Sequence, residues 1–387
     1  MGRIAGKYLI FSICILAVQQ LATAQFNANL DLSSNFDDNI YLSPEKISDW
    51  IYDMDLSLDY TFKDTATNIF YNLDYLRYQQ NPARNFFLNK AGIRYSNDFG
   101  KKRQNWFYVG GYFMDRRNTD TYSYYDYQQL YLYTNQRFVI KKTYLRTGYN
   151  FRYRRYMDFM ELTNYQHYLY LQLSRSFRTR TSLIMEADLG YKTFYTTTTY
   201  TRTTTESGQG RFSTTHYRVT EEQIPSMSHA IVLLRVAQSL HDRVGIYLQY
   251  RGQFSLSDAS RINAGSYFQD EELFDDPFSY TSHGLSSRLT MILPENLQIR
   301  AGGGVTMKDY ISETSFISET DSIGAGPLRE DLRFNAYARV SKTFSFKDKW
   351  IDSIKPYLNY TYVNNQSNSY WYDYNYHFLG VGVVFNF

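Results

Sequence analysis

The feature that most restricts the fold of this 387-residue chain is alternation with a period of two, repeated from end to end. Trp50, Tyr52, Met54, Leu56, Leu58, Tyr60 and Phe62 share one parity; Asp53, Asp55, Ser57, Asp59 and Thr61 share the other. Val244, Ile246, Leu248, Tyr250, Phe254 and Leu256 alternate with Gly245, Tyr247, Gln249, Arg251, Gln253 and Ser255. The chain ends HFLGVGVVFNF, with Leu379, Val381, Val383, Phe385 and Phe387 on one side. Successive side chains of an extended strand point to opposite faces, so each such stretch has one apolar and one polar face. Helical periodicity is nearly absent, and SPEKISDWI, residues 43–51, is its best short instance.

Sixteen candidate strands follow: 25–34, 48–62, 66–79, 84–97, 104–116, 125–139, 142–156, 163–176, 181–194, 227–240, 243–257, 281–293, 296–309, 329–344, 353–364 and 371–387. The facing of 104–116 and 125–139 is ambiguous, and fourteen or eighteen strands are the neighbouring counts. Walked backwards from the C-terminus, the connections sort by length. FKDKWID, PEN, HDR, FRTR, IKK, DFGKKRQ and KDTA fall on one side and are short. The three longest, 310–328, 258–280 and 195–226, all fall on the other.

A strand with one apolar face either packs into a sandwich core or faces lipid around a polar lumen. Sandwich strands usually run about 5–6 residues. These run to about 12–15, enough to cross a bilayer's hydrocarbon at a tilt. Within lipid every backbone N–H and C=O needs a partner, so such a sheet has to close on itself. Long loops on one side and short turns on the other suit the same architecture. Tyr, Trp and Phe at strand ends (Trp50, Phe62, Trp106, Tyr156, Phe177, Phe344) fit interfacial girdles. The expected fold is therefore all-β, an antiparallel up-and-down transmembrane barrel of about sixteen strands.

The N-terminus carries Arg3 and Lys7, then the apolar run Leu9–Val18, then Ala22-Thr23-Ala24. That is the layout of a secretory signal with cleavage after Ala24. Residues 1–24 are read as signal peptide and 25–387 as barrel. Cys14 is the sole cysteine and would leave with the signal, which removes disulfides and thiol chemistry. Loss of Arg3 and Lys7 takes the formal charge from +3 to about +1, so nothing in the balance points to nucleic acid.

The aromatic terminus at Phe387, with apolar residues at alternating positions before it, resembles the closing strand of outer-membrane β-barrel proteins of diderm bacteria, the porin-like class. The resemblance implies location in the outer membrane of a Gram-negative envelope, contact with its lipid, and assembly by the barrel-assembly machinery through the C-terminal strand. It names no solute.

With the apolar parity outward, the other parity lines the lumen. Arg146, Arg152, Arg251, Arg333 and Arg339 would form a basic wall, and Asp53, Asp55, Asp59 and Asp74 an acidic one. Opposed walls in a narrow aqueous passage orient polar solutes and favour one ion sign. The plainer alternative is that these charges pair and brace the wall. Tyr144, Tyr168, Tyr170, Tyr247, Tyr337 and Tyr357 share the lumen parity, either as binding faces or as filling. QDEELFDD, residues 269–276, is an acidic loop that reads as solvated sooner than as a calcium site. The six histidines lack metal-ligand spacing, and no G-x-S-x-G or phosphate loop occurs, so no enzyme and no cofactor are expected. Two functions stay open. One is passive or weakly selective passage of small polar or charged solutes. The other is a closed barrel acting as a surface receptor, scaffold or component of an envelope export complex, with loop 195–226 either constricting the pore or binding outside it.

Overall fold

The computed structural model describes residues 26–62, 66–100, 103–158, 160–195, 226–257, 276–321, 323–346 and 350–387. The proposed signal peptide and most of the loops 195–226 and 258–280 lie outside them. Sixteen strands follow in chain order: β1 Phe26–Asp37, β2 Asp49–Thr61, β3 Thr67–Tyr78, β4 Phe86–Phe99, β5 Asn105–Asn118, β6 Tyr127–Ile140, β7 Thr143–Tyr156, β8 Asn164–Ser176, β9 Thr181–Phe194, β10 Met227–His241, β11 Val244–Ser255, β12 Tyr280–Leu293, β13 Leu297–Thr314, β14 Leu328–Lys342, β15 Ser353–Ser367 and β16 Tyr374–Asn386. The pair Phe344–Ser345 prolongs β14 along β15.

Each strand pairs antiparallel with its sequence neighbours, and β1 pairs with β16 from Asn29↔Asn386 to Asp37↔Phe378. The barrel is closed, so no edge is left to satisfy. The terminal Phe387 takes part: its N–H donates to the Ala28 carbonyl at 2.9 Å, and its ring stacks on Trp350. Short connections gather at one end, where tight turns place Lys141, Arg180, Glu295 and Asn296 in left-handed backbone. The long ones gather at the other.

The apolar parity faces outward. Ile93, Leu169, Leu189, Leu248 and Val381 are each more than half exposed on the protein surface, where lipid covers them. Tyr156 departs from the girdle expected of it, being 3% exposed on the inward parity of β7, and so does Trp106. Trp106 pairs with Asp98 and Arg137 on the inward parity, and its ring lies under the Arg137 guanidinium.

Residues 43–51 are not helical. Leu42 takes φ 49°, Ile40 donates to the Ile47 carbonyl, and Asp49 already heads β2. The Asp49 carboxylate accepts the amide hydrogens of Gln79, Gln80 and Asn81 at 3.2, 2.9 and 2.9 Å, and that long-range anchor overrides local periodicity.

Candidate functional site

Register sets what faces the lumen. Asp53, Asp55 and Asp59 on β2, Asp74 on β3, Arg146 and Arg152 on β7, Arg251 on β11, and Arg333 and Arg339 on β14 all fall on the inward parity. They do not form one cluster. Asp55 faces Asp31 across β1–β2 and Asp74 across β2–β3, which gives a carboxylate group on those three strands. Asp59 stands apart, in an ion pair with Arg94 of β4. Arg339 faces Arg300, and Arg146 faces Arg137. Basic residues of the inward parity thus run through β4–β7 and β10–β14, interrupted by Glu186 and Asp188 of β9.

Many of the guanidinium groups rest on neutral partners. Arg152 donates to Gln166 at 2.5 Å, and Arg154 donates twice to Gln129 at 3.0 and 2.9 Å while lying 4.3 Å over Tyr127. Arg235 donates to Gln249. Tyr247 is sandwiched between Arg235 and Arg288, each 4.8 Å from its ring centre. Arg339 lies 4.0 Å over Tyr357, whose hydroxyl donates to Asp31 at 2.9 Å. An amide oxygen or a ring face holds a cation in place without cancelling its charge. Arg235, Arg288 and Arg339 are ordered in this way by groups that carry no formal charge. Cross-strand Arg and Tyr of the same parity were the signal for this arrangement in the sequence.

The lumen tyrosines have a packing role. Tyr337 lies flat over Gly302, where an added methyl would sit 2.8 Å from its hydroxyl oxygen, and Tyr357 and Tyr170 cover Gly382 and Gly148 likewise. On β5 and β6, whose facing the alternation left ambiguous, Tyr112 stacks on Tyr131 and Tyr108 on Tyr133 at 4.9 and 5.2 Å, inside the barrel.

At the long-loop end the inward side chains are buried. Gln129, Arg154, Gln166, Lys192, His229, Gln253, Lys308 and Asp331 are all less than a tenth exposed. Residues 276–279, the end of the β11–β12 connection, fold onto this belt. Phe278 is 1% exposed, stacks on His229 at 4.0 Å and lies 5.8 Å from Tyr168. Asp276, the last residue of the acidic loop, is ion-paired with Lys192, and Gln253 donates to the Pro277 carbonyl. Nearby on the rim, Arg329 is forked onto Asp331, bonded to Glu313 at 2.9 Å, and stacked 3.3 Å under Tyr372. Among the described residues no three His, Cys, Asp or Glu side chains gather as metal ligands. The rest of the acidic loop lies outside those residues.

No known family matches the chain, and no curated protein matches it. Solved outer-membrane barrels do. CdiB from Acinetobacter baumannii aligns over 93% of this chain and 60% of its own at 10% identity with a TM-score of 0.50. OpdK from Pseudomonas aeruginosa aligns over 94% and 99% at 9% identity with a TM-score of 0.48. OmpT of Vibrio cholerae aligns over 94% and 99% at 11% identity with a TM-score of 0.44. The likeness is one of fold. It also corrects the expectation that the chain is no enzyme. OmpT stands among the structures this barrel resembles, and an architecture shared at 11% identity is no ground for excluding catalysis, so that exclusion does not stand.

Proposed function

Starting from the premise that this chain is a sixteen-stranded outer-membrane β-barrel, we propose that it is a porin-like channel for small polar or charged solutes, with a weak preference for anions. The observation that carries this reading is the support of the basic wall. Arg235, Arg288 and Arg339 are oriented on the inward parity by a glutamine amide and tyrosine rings, groups that carry no formal charge. The carboxylates of Asp31, Asp55 and Asp74 stand together on a different arc.

Planar-bilayer recording of the full protein tests it. Stable conductance steps with an anion-leaning reversal potential are expected, and Arg251→Ala combined with Arg339→Ala moves that potential toward zero. Unchanged selectivity in the double variant would remove the basic wall as its source. A second reading, a closed barrel serving as receptor, scaffold or export component, is favoured by the buried polar belt and by Phe278 at the outer end. Electrical silence from correctly folded protein would select it.

A further inference from the structure

Among the described residues, four tyrosines on the lipid-facing parity bond a histidine or asparagine of the next strand, all toward the long-loop end. Tyr71 donates to Asn89 Oδ1 at 2.8 Å. Tyr149 is bonded to His167 Nδ1 at 2.7 Å, Tyr250 to His283 Nδ1 at 2.8 Å, and Tyr360 to His377 Nδ1 at 2.8 Å. The pairs bridge β3–β4, β7–β8, β11–β12 and β15–β16, every second hairpin at that end. Their register is the same each time. Tyr71, Tyr149, Tyr250 and Tyr360 face Ala91, Leu169, Leu285 and Leu379, and the bonded partner lies two residues before each of these. Asn89, His167, His283 and His377 are each the fourth residue of their strand, so all four sit at one height. On the intervening hairpins the fourth residue is Tyr52, Leu130 or Ala230, or, on β14, the inward Asp331 beside the outward Leu332.

An aromatic girdle accounts for tyrosine at this height. It does not account for imidazole or amide, which cost free energy against hydrocarbon unless every polar atom is satisfied. The tyrosine hydroxyl donates in the Asn89 pair. With the same role in the other three it fixes each imidazole with Nδ1 as acceptor and Nε2–H as donor. Each ring is further held against a neighbouring aromatic: His167 on Phe151, His283 on Phe254, and His377 on Tyr362 at 4.8 Å. The surface then carries four oriented N–H donors a quarter-turn apart, level with the outer interface.

We propose that these pairs are four equivalent sites for the phosphate of an outer-leaflet glycolipid, one lipid to each. A phosphate oxygen is the strong acceptor at this depth, and it satisfies the remaining ring or amide donor. The sites lie outside the lumen, so the inference stands whether or not the barrel conducts.

Native mass spectrometry of the full protein, titrated in detergent with diphosphoryl lipid A and with its dephosphorylated form, tests this. The phosphorylated lipid is expected to fill up to four sites, and the dephosphorylated form to bind about tenfold more weakly. The combined variant Asn89→Leu, His167→Leu, His283→Leu, His377→Leu should lose all four. Replacing the three histidines by Gln, which keeps a neutral donor, should retain binding. Should the leucine variant fail to fold, as read by heat-modifiable electrophoretic mobility, Tyr149→Phe, Tyr250→Phe and Tyr360→Phe release the rings and should lower affinity. Equal binding of the two lipids, undiminished binding by the leucine variant, or unchanged affinity in the phenylalanine variants would overturn the proposal.

Discussion

Phe278 stacks on His229 with their rings 4.0 Å apart and 15° from parallel, and this contact ties the end of the β11–β12 connection to the wall of β10. Both side chains are 1% exposed. Emptying a fully buried aromatic site costs about 3–5 kcal/mol. Phe278→Ala is therefore expected to destabilise this corner by about 3 kcal/mol. Hydrogen exchange should show lost protection at 278–279, and the thermal midpoint should fall. Unchanged exchange would mean the ion pair of Asp276 with Lys192 holds the segment without the ring.

Arg329 is the most enclosed guanidinium among the described residues that belong to the outer rim, 3% exposed and held by Asp331, Glu313 and the ring of Tyr372. Its removal takes the forked guanidinium from Asp331 and the hydrogen bond from Glu313, a loss of about 3–5 kcal/mol. Arg329→Leu should lower the free energy of unfolding in detergent by that amount. Arg329→Lys should recover little of it, because an ammonium cannot fork onto Asp331 or stack on Tyr372. Full recovery by lysine would show that charge alone matters there.

Tyr357 needs the absence of a side chain at Gly382 to reach both Arg339 and Asp31. Gly382→Val drives a branched side chain into that ring. Overpacking of this kind costs about 1–3 kcal/mol. Refolding yield from urea should drop, and Tyr357→Gly in the same chain should restore part of it. A tolerated Gly382→Val would mean that the ring is free to move aside.

Asp321 lies in the β13–β14 loop, where its carboxylate accepts the backbone N–H groups of Ile317, Ile323, Gly324 and Ala325 at 2.9–3.1 Å. The hydrogen bonds from Ile317 and Ala325 come first in holding its pKa below the ordinary 3.8. A carboxyl with a depressed folded value stabilises above its unfolded value and loses that contribution as pH falls through the folded one. The loop amides should stay protected from about pH 6 down to about pH 4 and lose protection below that. Asp321→Asn should remove the pH dependence, and its persistence would assign it to another group.

The barrel was legible before any coordinates because its cause is local. Hydrocarbon acts on every lipid-facing residue separately, so Trp50 through Phe62 or Leu379 through Phe387 declare strand, length and facing by themselves. The stretch 43–51 shows the best helical periodicity in the chain yet is extended from Asp49, because its conformation is decided by Asp49 meeting residues 79–81, which no local pattern contains. Trp106 was misplaced for a related reason: β5 carries aromatics on both faces, and only its pairing with β6 assigns them.

The sequence by itself determined a barrel of about sixteen strands, the lipid-facing parity of most of them and the side that bears long loops, since each follows from residues adjacent in the chain. Only the tertiary structure decided that Tyr247 lies between Arg235 and Arg288, that Phe278 covers His229, and that four tyrosines meet His167, His283, His377 and Asn89 in one register. Those contacts depend on how neighbouring strands slide against one another when the sheet closes, a shear set by the whole circumference at once.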